Sequence, residues 1–266
     1  MSLPPSLFFD LAAWGHLPLF DEARPVWQAL SELKGYMDRQ AYPACFAALA
    51  ASGPLARTLV LHEGALLDGT ECVIEFGDAT KGQLRVSRGG VPLDGASVLM
   101  GGAVLVGSRF RFGQGVLVES GAFLKEPAII GDQTEVRQGA YLRGYCLVGK
   151  RCVVGHATEV KHSILLDEAK AGHFAYLGDS ILGNDVNLGA GTKLANLRFQ
   201  SGEVEVKTAD GPMATGLKKM GCIFGDRCQT GCNSVTNPGT LLGKRCVLMP
   251  NTTAPSGYHP ASTLLR

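Results

Sequence analysis

Six is the period that constrains this chain. Counting from Met100, every sixth residue is large and apolar: Met100, Val106, Phe112, Val118, Leu124, Ile130, Val136, Leu142, Val148, Val154, Val160 and Leu166. With 45% of the chain hydrophobic, such a run in one register arises by chance on the order of once in ten thousand. A strict repeat outranks local propensity as a guide to fold, because each unit can bury its apolar side only against its neighbours. Two places before each large residue stands a second inward candidate, mostly small: Val98, Val104, Phe110, Val116, Ala122, Ala128, Thr134, Ala140, Cys146, Cys152, Thr158 and Ile164. Two inward residues at period two, repeated every six, describe a very short strand followed by a turn.

Three such strands close a triangular coil in which equivalent positions stack about 4.8 Å apart. The predicted fold class is all-β, a parallel β-helix of hexapeptide repeats with a short N-terminal helical segment. The rhythm returns at Leu182, Leu188 and Leu194, and again at Phe224, Thr230, Thr236, Leu242 and Leu248. Cys146, Cys152, Cys222, Cys228 and Cys246 fall on the small inward position and read as core filler. Residues 1–56 read as a helical lead-in, with a helix over 20–40 whose stripe is Val26, Trp27, Leu30, Leu33 and Met37, and with Pro25 near its first turn. The β-helix is expected over 57–256 and a tail over 257–266. An excursion at about 197–220 alternates like a hairpin arm, suited to projecting over a neighbour's cleft.

From Leu166 to Leu182 the chain advances two residues fewer than a full coil. The break is expected around His173 and Tyr176, and irregular backbone on a rigid scaffold is where binding groups sit. Lys125, Arg143 and Lys161 recur one coil apart, stacking three cations on one edge. Such charges repel unless an anion sits between them, and a phosphate suits both the Arg fork and the Lys point charge. Acidic neighbours such as Glu126 and Glu159 offer the other solution, a solvated basic edge.

A net charge of +1 supplies no field to recruit nucleic acid or an anionic membrane surface. No apolar stretch approaches the roughly 20 residues of a membrane span. Met1 to Phe9 lacks a secretory pattern and none of the eight cysteines forms a CxxC pair, so reduced thiols in a cytoplasmic protein are expected. The absence of a glycine-rich phosphate loop leaves nucleotidyl transfer without a seat.

The stretch EVKHSILLDEAKAGHFAYLGDSILGNDVNLGAGTKLAN, residues 159–196, resembles the acetyltransferase domain of bifunctional N-acetylglucosamine-1-phosphate uridyltransferase/glucosamine-1-phosphate N-acetyltransferase. The longer run through ANLRFQSGEVEVKT and IFGDRCQTG is similar to the C-terminal β-helix of sugar-phosphate nucleotidyltransferase-like proteins. KAGHxxYLGD followed by VNxGAGT is far more specific than hexads alone. The resemblance implies a left-handed helix, a homotrimer, acetyl-CoA in a cleft between neighbouring prisms and an amino sugar phosphate at its end; no metal is expected, given the spacing of the histidines. By position the resemblance makes His173 the catalytic base and Glu159 the carboxylate that orients it. Arg143, Lys161, Tyr176, Asn187 and Asn196 match substrate contacts, and Ala190 and Cys232 match positions beside the coenzyme. Arg137 in VRQGA matches the family's wording better than Arg143, which wins on stacking; both stay open. After Asn196 this chain has Leu197 and Arg198 where the family has Tyr-Asp-Gly, so the mouth of the site is shaped differently, and the acceptor is a sugar phosphate or a nucleotide-linked amino sugar.

Two other readings compete. One is a catalytically silent β-helix with a regulatory or scaffolding role. The other is a metalloenzyme of the γ-carbonic anhydrase type, which needs three convergent histidines, two of them five apart; His156, His162 and His173 are spaced six and eleven.

Overall fold

A computed structural model describes residues 2–49 and 53–266 of the chain. From Ser97 to Leu265 the backbone winds as a parallel β-helix with three sheets. Face 1 begins with Ser97–Leu99, face 2 with Val104–Val106 and face 3 with Phe110–Phe112. The chain turns from face 1 to face 2 at a first corner, from face 2 to face 3 at a second, and back to face 1 at a third. Faces 2 and 3 hold eight strands each; face 1 is extended by the antiparallel strands Leu59–His62 and Ala65–Asp68, which cover the open edge of the first coil.

The interior follows the hexad chemistry. One large residue per strand, such as Val118, Leu124, Ile130, Val136 and Leu142, packs into a single continuous core. The position two residues earlier is mostly taken by Ala, Ser, Thr or Cys, since three side chains must meet on the axis of a narrow prism; Phe110, Val116 and Val186 are larger exceptions. The hydroxyls and thiols there are not orphaned: Thr134 Oγ1 donates to the Gly149 carbonyl at 2.8 Å, and Cys152 Sγ to the Leu166 carbonyl at 3.0 Å. The five cysteines assigned to the core are all buried. Burial pushes the Cys146 and Cys152 thiols up to about 12. Alkylation of the native protein near neutral pH is therefore expected to modify Cys232, which is exposed, and to spare Cys146 and Cys152 until the chain is denatured; mass spectrometry of the labelled peptides reads this directly.

Departures from six are confined to the second corner. Leu124 to Ile130 and Leu142 to Val148 are six apart, but Leu105 to Phe112 is seven, and Val160 to Leu165 and Leu177 to Leu182 are five. At the first and third corners the interval stays six, as from Val154 to Val160, Leu165 to Ala171 and Ala171 to Leu177. This corrects the sequence reading at both ends of its run. Met100, Val106 and Leu166 are each one residue out of phase: the inward residues are Leu99, Leu105 and Leu165, while Val106 is 41% exposed and Leu166 packs in the outer cluster. The two missing residues are not lost together around His173; one goes at His162 and the other at Asp179, both with φ of 47°.

Outer layers cover face 3 and the start of face 1. The N-terminal segment lays Phe8, Phe9, Trp14 and Leu33 over the outward Ile129, Leu147, Ile164 and Ile181 of face 3. Its helix is shorter than expected, Gln28–Asp38, with residues 26 and 27 in turns after Pro25. The excursion forms the hairpin Glu205–Thr208 with Gly211–Ala214. Instead of reaching out toward a neighbour, it folds back on face 3, where Val204, Val206 and Met220 meet Ile223 and Leu241. Gly239 permits this approach, since a Cβ there would stand 2.8 Å from Val204 and 2.9 Å from the Glu205 carbonyl. Residues 57–93 are antiparallel strands and turns, not coils, and their apolar side packs on Val98 and Leu117 of face 1. Residues 257–266 continue the helix through Gly257–His259 and Leu264–Leu265. Face 2 keeps its outward side chains half-buried or exposed along Phe123, Lys125, Tyr141, Arg143, Glu159, Lys161 and Tyr176.

Candidate active site

The first corner builds one column. Backbone N–H groups of Phe174, Gly191, Asn233 and Asn251 donate to the carbonyls of His156, His173, Ala190 and Cys232 at 2.8, 3.0, 2.8 and 2.9 Å. Each of these residues thus sits directly above the one before. The turn can be this tight because glycine precedes it: a Cβ on Gly155 would lie 1.8 Å from the Gly172 carbonyl. His173 is exposed, its ring stacked on that of His156 with centroids 5.7 Å apart and planes 24° from parallel. His173, Ala190 and Cys232, assigned to base and coenzyme positions, therefore share one edge of the prism. Asn187 points outward from face 1 beside this edge, in register between Lys170 and Gln229.

Across face 2 lies a second group. Phe123, Tyr141, Glu159 and Tyr176 form one outward column, and Lys125 and Arg143 are paired in the next, which Lys161 continues. Two of the three cations are already paired: Arg143 Nη1 donates to Glu159 Oε1 at 2.7 Å, and Lys161 Nζ to Asp179 Oδ2 at 2.8 Å. Carboxylates thus stand beside Arg143 and Lys161 where a bound anion was expected, and Glu159 is engaged with Arg143. Arg137 lies elsewhere, on face 1, with its guanidinium 2.7 Å from Glu135.

The second corner adds Asp179 and His162, which the sequence did not mark as site residues, to Lys161, Tyr176 and Asn196, which it did. Asp179, 6% exposed, accepts from both His162 Nδ1 at 3.0 Å and Lys161, and from the Asn196 amide as well. Asn196 Oδ1 in turn accepts from the Tyr176 hydroxyl at 3.3 Å. Burial by itself would raise the Asp179 carboxyl, but the donors His162, Lys161 and Asn196 outweigh it and hold the group below the usual carboxylate value. Burial, and then the charges of Glu159 and Asp179, push the Tyr176 phenol up. The five-residue corners cause this convergence: each places a left-handed residue, His162 and Asp179, where the next coil's polar group can reach it. The signal available in the sequence was their separation of one shortened coil. His162 sits at a different corner from His156 and His173.

Together these features define a hexapeptide-repeat β-helix with a polar strip on face 2 beside an exposed imidazole edge. A family profile described as the GMPPB C-terminal domain matches residues 124–210, less than half of the chain. The bifunctional sugar-1-phosphate nucleotidylyltransferase/acetyltransferase of Sulfurisphaera tokodaii is 35% identical over 151 residues, covering 50% of this chain and 38% of that protein. The bifunctional protein GlmU of Cyanothece sp. is 34% identical over 151 residues, 53% of this chain and 30% of its own length. GlmU of Methanocaldococcus jannaschii is 37% identical over 107 residues, covering 40% and 26%. The chain is thus homologous to GlmU-type bifunctional proteins and spans well under half of the length of these relatives.

Proposed function

We propose that this protein transfers an acetyl group from acetyl-CoA to the amine of a sugar phosphate or nucleotide-linked amino sugar, acting as a homotrimer. The single observation that carries the reading is the exposed His173 on the same column as Ala190 and Cys232, beside a face bearing Arg143, Lys161 and Tyr176 with Asn196 at its far corner. Acetyl-CoA would lie along the column past Ala190 and Cys232 with its thioester near His173. An imidazole can take a proton near neutral pH, so His173 would remove the proton from the acceptor amine as nitrogen attacks the thioester carbonyl. The N–C bond forms, the C–S bond breaks, and the proton returns to the coenzyme thiolate. Arg143 and Lys161 would hold the acceptor phosphate, exchanging their contacts with Glu159 and Asp179 for a more highly charged partner. Asn187 faces outward from face 1 and Lys161 lies across face 2, so the two meet one ligand most simply when a neighbouring prism closes the cleft; this favours the trimer.

The test is acetyl-CoA turnover across amino-sugar 1-phosphates and their nucleotide derivatives, with mass detection of the acetylated product and sedimentation analysis of the same sample. Product formation by a three-chain species is expected. Acetyl-CoA that neither binds in calorimetry nor turns over with any of these acceptors would leave the silent scaffold as the better reading.

A further inference from the structure

We propose that the outward surface of face 2 at the Phe123 and Tyr141 coils is a subsite for a nucleoside diphosphate, which makes the acceptor a nucleotide-linked amino sugar. The inference rests on the acetyl-transfer reading for the place of the sugar, but its observations are separate. Phe123 and Tyr141 continue the Glu159 and Tyr176 column toward lower-numbered coils, and Lys125 continues the column of Arg143 and Lys161. The two rings meet edge to face, with centroids 5.4 Å apart at 87°. Lys125 Nζ stands 5.5 Å from the Tyr141 centroid and 6.0 Å from that of Phe123; the Arg143 guanidinium carbon stands 5.9 Å from Tyr141.

Charge decides what this strip can receive. Lys161 is matched by Asp179 and Arg143 by Glu159, whereas Lys125 is exposed and, among the described residues, rests on rings without a carboxylate. Contact between an exposed ammonium and an aromatic face is weak and easily exchanged for phosphate oxygens. A sugar phosphate held by Arg143 and Lys161 uses two of the three cations; a second phosphate, one rung further, meets Lys125. Rungs lie about 4.8 Å apart, so Tyr141 is roughly 10 Å and Phe123 roughly 14 Å from the level of Tyr176. An extended diphosphate and ribose bridge such a span. As Lys125 and Arg143 turn to the diphosphate they uncover the rings, on which a base stacks with little regard to its identity.

The experiment is calorimetric titration of UDP, of GDP and of inorganic phosphate into wild type, Tyr141→Ala, Tyr141→Leu and Lys125→Ala. At least one nucleotide is expected to bind more tightly than phosphate. Both Tyr141 changes should weaken it about tenfold while leaving phosphate affinity unmoved; the leucine variant keeps apolar bulk should alanine disturb the fold. Lys125→Ala should weaken the nucleotide more than phosphate. Nucleotides that bind no better than phosphate, or equally well without the Tyr141 ring, overturn the subsite. Acetylation of glucosamine 1-phosphate in that case leaves the transferase standing without it. Nucleotide binding with no acetylation of any amino sugar does the reverse.

Discussion

Replacing His173 with alanine is expected to lower acetyl transfer by about 10²- to 10⁴-fold, the usual contribution of a positioned general base. The fold should not suffer. The ring is exposed and its packing is a stack on His156, so its removal opens no cavity in the prism core. Sedimentation and thermal unfolding of the variant should match wild type, and acetyl-CoA should still bind along the column of Ala190 and Cys232. Mass detection of product is preferable to a thiol reagent, because the exposed Cys232 also reacts. His156→Ala provides the contrast: it takes away the stack beneath the base and should cost much less. If the two variants lose activity equally, or His173→Ala retains it, the exposed imidazole is not the base.

Asp179→Ala should produce the largest loss of stability at the site. The substitution leaves Lys161 and His162 without the carboxylate that both contact, and takes an acceptor from Asn196. Removing one partner of a well-buried pair costs about 3–5 kcal/mol; the Lys161 side chain keeps 28% of its exposure, so the expected loss is near the lower end, about 3 kcal/mol. Asp179→Asn carries a pH signature. The folded carboxyl titrates below its ordinary value of 3.8, so its stabilisation is present above that pH and is lost as pH falls through the folded value. The difference in melting temperature between wild type and Asp179→Asn should therefore be full at neutral pH and shrink only below about pH 4. A gap that stays constant down to acid denaturation would show that the carboxylate charge contributes nothing at this corner. Since Lys161 is placed by Asp179, weaker acceptor binding should accompany the loss of stability.

Much of the scaffold was legible in the sequence because a β-helix repeats one local instruction. From Phe112 to Val160 the sixth-residue rule marks the inward positions correctly, and the small residues two places earlier line the axis as predicted. The cysteines at that position gave themselves away by phase alone. At Met100, Val106 and Leu166 the count slips by one, while the restarted rhythm at Leu182–Leu194 and Phe224–Leu248 is again in phase, since counting in sixes assumes three equal corners and cannot tell which corner absorbs a gained or lost residue. The helix was overextended for a related reason: the stripe from Val26 to Met37 is real, but Pro25 begins a pair of turns before the helical hydrogen bonds start at Gln28.

The candidate site divides along the same line. The column of His173, Ala190 and Cys232, spaced 17 and 42 residues, was assigned by resemblance and stacked only by the structure, but the series Lys125, Arg143 and Lys161 follows from its 18-residue interval. What sits beside those columns does not. Asp179 meets Lys161 and His162 because two five-residue corners superpose, and the hairpin at 205–214 lies on its own face 3 because Val204 and Val206 find apolar surface there. Where the coils keep eighteen residues, periodicity determined which residues face in, which face out and which stack, because there those depend on chain spacing alone. The tertiary structure decided which charges are already paired and which face stays open, because those depend on side chains far apart in the chain competing for the same few ångströms at a corner.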